Sequence, residues 1–154
     1  MKKLASAVAI TSTLLLSGCM TVVQNSQQAS LETNKTVTVI DDTRTRDGVR
    51  DSITGWLTKQ GYQFEVVETP NYVLEYDQAI VYQANWAWDI TTYMRYADIS
   101  LYNKNNRIGN VRVDTVGCGG FGKFGNAAER ISLSMDLLFK KIDTKQAEKL
   151  ICKA

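Results

Sequence analysis

Apolar and polar positions along this chain repeat with two different periods. Lys35 to Ile40 (KTVTVI) alternates and is β-branched, which predicts a first strand closed by Asp41-Asp42-Thr43. The period then lengthens. Val49, Ile53, Trp56 and Leu57 stand at i, i+4, i+7 and i+8, the apolar stripe of a helix that Thr45 or Asp47 caps and that runs to Gln60, with Gly61 suited to the position just past its end. Tyr62 to Glu68 reads as a second strand and Pro70-Asn71 breaks it. Tyr72 to Trp88 alternates in stretches and predicts a third strand, bent near Asp77. From Thr91 to Asn103, Tyr93, Arg95, Ala97, Ile99 and Leu101 share one parity, and Thr92, Met94, Tyr96, Asp98, Ser100 and Tyr102 the other. Asn103-Lys104-Asn105-Asn106 is a turn, and Arg107 to Val116 returns, so 91–116 is a hairpin. Asn126 caps a second helix, striped by Ala128, Ile131, Met135, Leu138, Phe139 and Ile142. Thr144 to Ala154 continues as helix or docks through Leu150, Ile151 and Cys152. The order β-α-β-β-β-β-α predicts an α+β domain: an antiparallel sheet of about four to five strands with two helices packed on one face, burying both stripes against one core.

The first residues follow a different logic. Lys2 and Lys3 are followed by an apolar run from Ala5 to Leu16 and then by Leu16-Ser17-Gly18-Cys19. A charged start, a short apolar stretch and small residues before a cut form the layout of a secretory signal. The run is shorter than the roughly 20 residues that span a bilayer. The closing tetrad resembles the lipobox of bacterial lipoproteins. That resemblance covers residues 1–19 and implies cleavage before Cys19, a diacylglyceryl thioether on its sulfur and tethering to a membrane leaflet. In the sorting scheme of such lipoproteins, aspartate after the cysteine retains the protein at the inner membrane. Met20 stands there instead, which points to the outer membrane, facing the periplasm in a Gram-negative host. The expected organisation is therefore a signal peptide at 1–18, a tether at 19–34 rich in Gln, Asn, Ser and Thr, and one domain over 35–154.

Composition sharpens this picture. Removing the signal takes two lysines away, leaving 16 basic against 16 acidic side chains. A neutral mature chain argues against nucleic acid as a partner. The chain has no histidine, which removes Ser-His-Asp and Cys-His catalysis and the commonest metal ligand. No cofactor and no metal ligand set is expected. With Cys19 set aside, Cys118 and Cys152 remain, and in an oxidising compartment they either pair or persist as two partly buried thiols.

Three local sequences carry possible chemistry. Gly117 to Gly125 (GCGGFGKFG) matches most of a phosphate-binding loop through Gly117, Gly122 and Lys123, but Phe124 replaces the hydroxyl that such a loop needs. Its simplest reading is a strand-to-helix connection with Phe121 and Phe124 packed on the core. Trp86 and Trp88 point the same way from a strand and, with Tyr82, Tyr93 and Asp89, form a candidate aromatic platform for an envelope protein or polysaccharide, or one that rests on the membrane interface beside the lipid anchor, unless that face is core. Asp41, Asp42, Arg44, Arg46, Asp47, Arg50 and Asp51 cluster at the first strand-to-helix junction, where salt bridging of Asp47 with Arg50 or Arg44 is the plainest arrangement. Lys123, Arg130, Lys140 and Lys141 read as a solvated basic face. The functional expectation is a non-enzymatic outer-membrane lipoprotein with a binding or assembly role. The alternatives are a small hydrolase using Asp41, Asp42 or Asp89, or a lipid- or lipopolysaccharide-handling protein.

Overall fold

A computed structural model describes residues 21–68 and 76–154. The tetrad that resembles a lipobox, Cys19 included, lies outside the described residues, as does the Pro70-Asn71 break. The elements are β1 (Val23–Gln27), β2 (Val37–Ile40), α1 (Asp47–Lys59), β3 (Phe64–Val67), β4 (Ala79–Asp89), β5 (Thr91–Asn103), β6 (Asn106–Asp114), α2 (Ala127–Leu138) and α3 (Thr144–Ile151), with two short 3-10 turns at Thr115–Cys118 and Gly120–Phe124. The strands form one sheet in the order β1-β6-β5-β4-β2-β3.

The α+β class stands, but the sheet is mixed and has six strands, not an antiparallel four or five. β2 runs parallel to both β3 and β4, and the remaining pairs are antiparallel. The physical reason is the first helix. A strand followed by a covering helix returns alongside itself in the same direction, so β2-α1-β3 is a parallel crossover and β4 comes back on the other side of β2.

The sixth strand arises where the tether was expected. Four apolar residues scattered through that polar stretch, Val22, Val23, Ala29 and Leu31, are all buried. β1 zips onto β6 from Val23↔Val113 to Gln27↔Asn110, and the Ala29 N–H donates to the Leu138 carbonyl at 2.9 Å. Gly109 makes this approach possible: a Cβ there would come within 2.7 Å of the Ala29 Cβ and 2.9 Å of Leu138 Cδ1. Residues 21–34 thus belong to the domain.

The helices cover one face. α2 lies over β5, β6 and β1, and α1 packs beside α2. The α1 stripe is buried as its period requires, and Trp56 stacks between Tyr62 and Phe139 while its indole N–H donates to Asp136 Oδ1 at 2.8 Å. Neither Thr45 nor Asp47 caps α1: Arg46 holds the N-cap position with no side-chain hydrogen bond, and the Thr45 hydroxyl turns inward to donate to Asp42. Asn126 does cap α2, accepting from the Ala128 and Glu129 N–H groups. α2 ends at Leu138, before Phe139 and Ile142, where Lys140 turns left-handed (φ 61°), and Ala128 faces solvent. Asp143 and Gln146 then form a capping box that starts α3.

One irregularity reassigns the hairpin's faces. Asn85 pairs with Tyr96 but Trp86 pairs with Met94, so Arg95 is an extra residue in β5. A one-residue bulge exchanges the two faces beyond it. Met94 therefore joins Ala97, Ile99 and Leu101 in the core, and Tyr93 and Arg95 leave the parity expected of them. Thr115 supports the bulge, its hydroxyl donating to the Met94 carbonyl at 2.7 Å.

Candidate functional site

Two surface features stand out: a cleft at the C-terminal end of β2 and the tip of the β4–β5 hairpin.

The cleft arises from topology. β2 has parallel neighbours on both sides, one reached through a helix and one through the chain's return, so the chain leaves its C-terminal end at a topological switch point, the usual place for a crevice in parallel sheets. The cleft encloses about 820 Å³ and is lined by Asp41, Asp42 and Arg44 from the β2–α1 loop, Glu68 after β3, Gln83 on β4, and Asp98 and Ser100 on β5.

Three of its four carboxylates, Asp41, Asp42 and Asp98, are held by the fold. Asp41 is largely buried; Arg50 Nη1 donates to Oδ2 at 3.1 Å and the Tyr82 hydroxyl donates to Oδ1. Burial, then the hydrogen bond to Asp41, pushes the Tyr82 phenol well above its ordinary range. Asp42 accepts from the Arg44 backbone N–H (3.1 Å), Arg44 Nε (2.9 Å) and the Thr45 hydroxyl (3.0 Å). Desolvation alone would raise its pKa, but these donors and the guanidinium charge together hold it below the usual carboxylate value. Arg50 also donates to Asp51 at 3.1 Å. The expected partner Asp47 has a side chain outside the description, and the described pairs are Asp41–Arg50, Asp42–Arg44 and Arg50–Asp51. Farther along the open face, Asn110 Nδ2 donates to Asp98 at 2.6 Å and to Ser100 at 2.9 Å, and Asn25 donates to Asn110 across the β1–β6 pair. Among the described residues no three acidic or thiol groups converge as metal ligands.

A pH prediction follows from Asp42. Because its folded-state pKa is depressed, its contribution to stability is complete above the unfolded value near 3.8 and is lost as pH falls through the lower folded value. Asp42→Asn should lower the urea midpoint at pH 7, and the gap from wild type should close as pH falls through the depressed folded-state value. A gap that persists undiminished in acid would show that the carboxylate charge plays no part.

The aromatic platform expected from Trp86, Trp88, Asp89, Tyr82 and Tyr93 does not assemble as one surface. Tyr82 is 2% exposed and committed to Asp41. Tyr93, turned by the bulge, lies under the edge of Phe124, with ring centroids 5.4 Å apart. Trp86 is half-buried against the core, with the Arg46 guanidinium 4.8 Å above its ring. Trp88 stands 76% exposed, and Asp89 beside it pairs with Lys123.

Sequence reasoning missed two neighbours. Ile90 alone joins β4 to β5, at φ 62° and 75% exposed. Phe121, expected in the core, is 83% exposed. The signal for Ile90 was available, since Asp89 and Thr91 each continue a strand and leave one residue for the turn. Nothing local marks Phe121.

The glycine loop is folded rather than open. Its two 3-10 turns are bound to the C-terminal helix by a Cys118–Cys152 disulfide, with Cα atoms 5.2 Å apart. They are also bound by Arg130, which is not on a solvated face but fully buried. Arg130 donates to the Ile151 carbonyl at 3.0 Å, the Lys123 carbonyl at 2.8 Å and the Gly122 carbonyl. The carbonyls a phosphate loop would turn away from its ligand thus point inward at a guanidinium. Asp89 lies seven residues beyond Tyr82 on β4, about 23 Å at the usual strand rise, so Asp41, Asp42 and Asp89 do not share one cleft. No protein-family model, curated protein or solved structure matches the chain significantly.

Proposed function

We propose that the chain is an outer-membrane-anchored lipoprotein of the bacterial envelope, acylated at Cys19 and facing the periplasm, and that its domain is a non-enzymatic binding or assembly module. The observation that supports a binding role is the cleft on the open sheet face: concave, lined by polar and apolar groups together, with Asp41, Asp42 and Asp98 already held by their own partners. Such a lining offers hydrogen bonds to an amide- or hydroxyl-rich partner, a peptide segment or a polysaccharide, without a reactive group at its centre. A hydrolase would need a carboxyl held protonated beside a second one facing the same bond. Asp42 is held in the opposite direction, Asp41 is clamped by Tyr82 and Arg50, and Asp89 is remote. A lipid carrier would need a mainly apolar cavity, and here Asp41, Asp42, Arg44, Glu68 and Asp98 share the lining with Ile40 and Val81.

A photo-crosslinking amino acid at Gln83, exposed in the cleft, is expected to give an adduct of one defined mass in cells. The same group at Lys145, exposed on α3, is expected to give none. Identical adducts at both positions, or none at Gln83, would retire the binding role of the cleft.

A further inference from the structure

The three most exposed large apolar side chains among the described residues, Phe121 (83%), Trp88 (76%) and Ile90 (75%), gather at one end of the molecule. Ile90 turns the β4–β5 hairpin, with Trp88 two residues before it. The 3-10 turn carrying Phe121 is fastened to this hairpin: Lys123 pairs with Asp89, and Phe121 leans on Phe124 (6.3 Å), which caps Tyr93. Ile90 adds a second anomaly. A β-branched residue at φ 62° is a genuine backbone outlier, and such strain is usually retained where a function requires it. Here it holds out a side chain that the described chain barely covers.

The strand register shows what lies at this end. The Asp114 N–H donates to the Val22 carbonyl at 2.8 Å; Asp114 pairs with Tyr96, and Tyr96 with Asn85. The chain therefore enters the sheet level with Asn85, and β1 comes from the same end at which the hairpin projects. From Asn85 the hairpin continues four residues to Asp89, about 13 Å at the strand rise. Cys19 is three residues before Val22, a reach of at most about 10 Å. The strands β6 and β5 separate β1 from β4, so the two points lie about 14 Å apart sideways. Fully extended, that connection would carry Cys19 to within about 3 Å of the level of Asp89, so that its acyl chains and the hairpin tip would enter the same leaflet. So short a connection leaves no space for a protein layer between this end and the bilayer.

We infer that Trp88, Ile90 and Phe121 insert into the interface of the phospholipid leaflet that holds Cys19, forming a second contact that fixes the domain's orientation on the membrane. This rests on the reading of Cys19 as acylated. The three side chains suit an interfacial position. Tryptophan favours the headgroup level, where its ring is buried and its N–H stays wet, while isoleucine and phenylalanine reach toward the acyl chains. The cleft begins several residues back along β4, around Gln83, and is left facing the periplasm.

The test uses the full acylated protein in vesicles of phosphatidylethanolamine and phosphatidylglycerol whose acyl chains carry bromine. The chain has three tryptophans, and Trp56 is buried in the core. Emission is expected to shift to the blue and be quenched, and Trp88→Phe to remove more than half of the quenching. Placing the probe elsewhere, Phe121→Trp in the Trp88→Phe background should restore it. Both sites are exposed, so neither change disturbs the core. The mass of the N-terminal peptide is read in parallel. An acylated peptide with unquenched emission overturns the insertion and leaves the anchor standing. An unmodified Cys19 overturns the anchor, and this inference with it.

Discussion

Arg130→Met is expected to destabilise the domain by about 3–5 kcal/mol, a large part of the 5–15 kcal/mol that holds a typical domain together. Arg130 is 0% exposed and has no carboxylate against its guanidinium in the described contacts; its charge is met by the carbonyl dipoles of Gly122, Lys123 and Ile151. Burial lowers its pKa, and the nearby Glu129 opposes that. The guanidinium nonetheless stays charged, because its intrinsic value is so high. The three carbonyls come from two separate pieces of chain, the Gly120–Phe124 turn and the end of α3, so one side chain on α2 ties both to the core. Methionine fills much of the volume but donates nothing, leaving acceptors that cost about 1–3 kcal/mol each when buried unpaired, less where water can enter. Lys140→Met, on an exposed side chain past the same helix, should change stability by no more than about 0.5 kcal/mol. Equal urea midpoints for the two variants would refute the assigned role of Arg130. The same crowding explains Gly125, where a Cβ would sit 1.7 Å from the Ala154 carbonyl oxygen.

The disulfide fastens the same junction covalently. Cys118 and Cys152 are 34 residues apart, and closing a loop of that size removes unfolded-state entropy worth about 3–4 kcal/mol on the chain-entropy estimate. The double variant Cys118→Ser/Cys152→Ser should therefore unfold at a markedly lower urea concentration than the oxidised wild type, and reductant should move wild type to nearly the same midpoint. A shift worth less than about 1 kcal/mol would mean that Arg130 and the packing of Ile151 already hold the end of the chain without the bridge. Because both fasteners act on one region, their losses should not add: the triple variant is expected to differ from the sum of its parts.

Much of the architecture is readable from local pattern. The α1 stripe, the Asn126 cap, the 91–116 hairpin and the Gly61 position follow from rules acting over a few residues, where side-chain period and backbone preference agree. The errors share one origin. β1 was hidden because its apolar residues are too sparse to declare a strand; the waiting edge of β6 and the gap over Gly109 recruit them. The Arg95 bulge leaves no mark on the alternation of β5, yet it sends Met94 inward and takes Tyr93 out of the expected platform. Arg130 looks like any basic residue on a polar helix until two distant loops bring their carbonyls to it.

The candidate site divides in the same way. The resemblance of residues 1–19 to an export and acylation signal, the absence of histidine and the unusual aromatics near residue 88 are legible without any fold, since composition and contiguous motifs need no partner. Which aromatics face water, whether the paired aspartates are free, and where β1 enters the sheet relative to the hairpin tip depend on strand register and on contacts between residues tens of positions apart. Burial and charge compensation are set by neighbours in space, and folding alone chooses those neighbours.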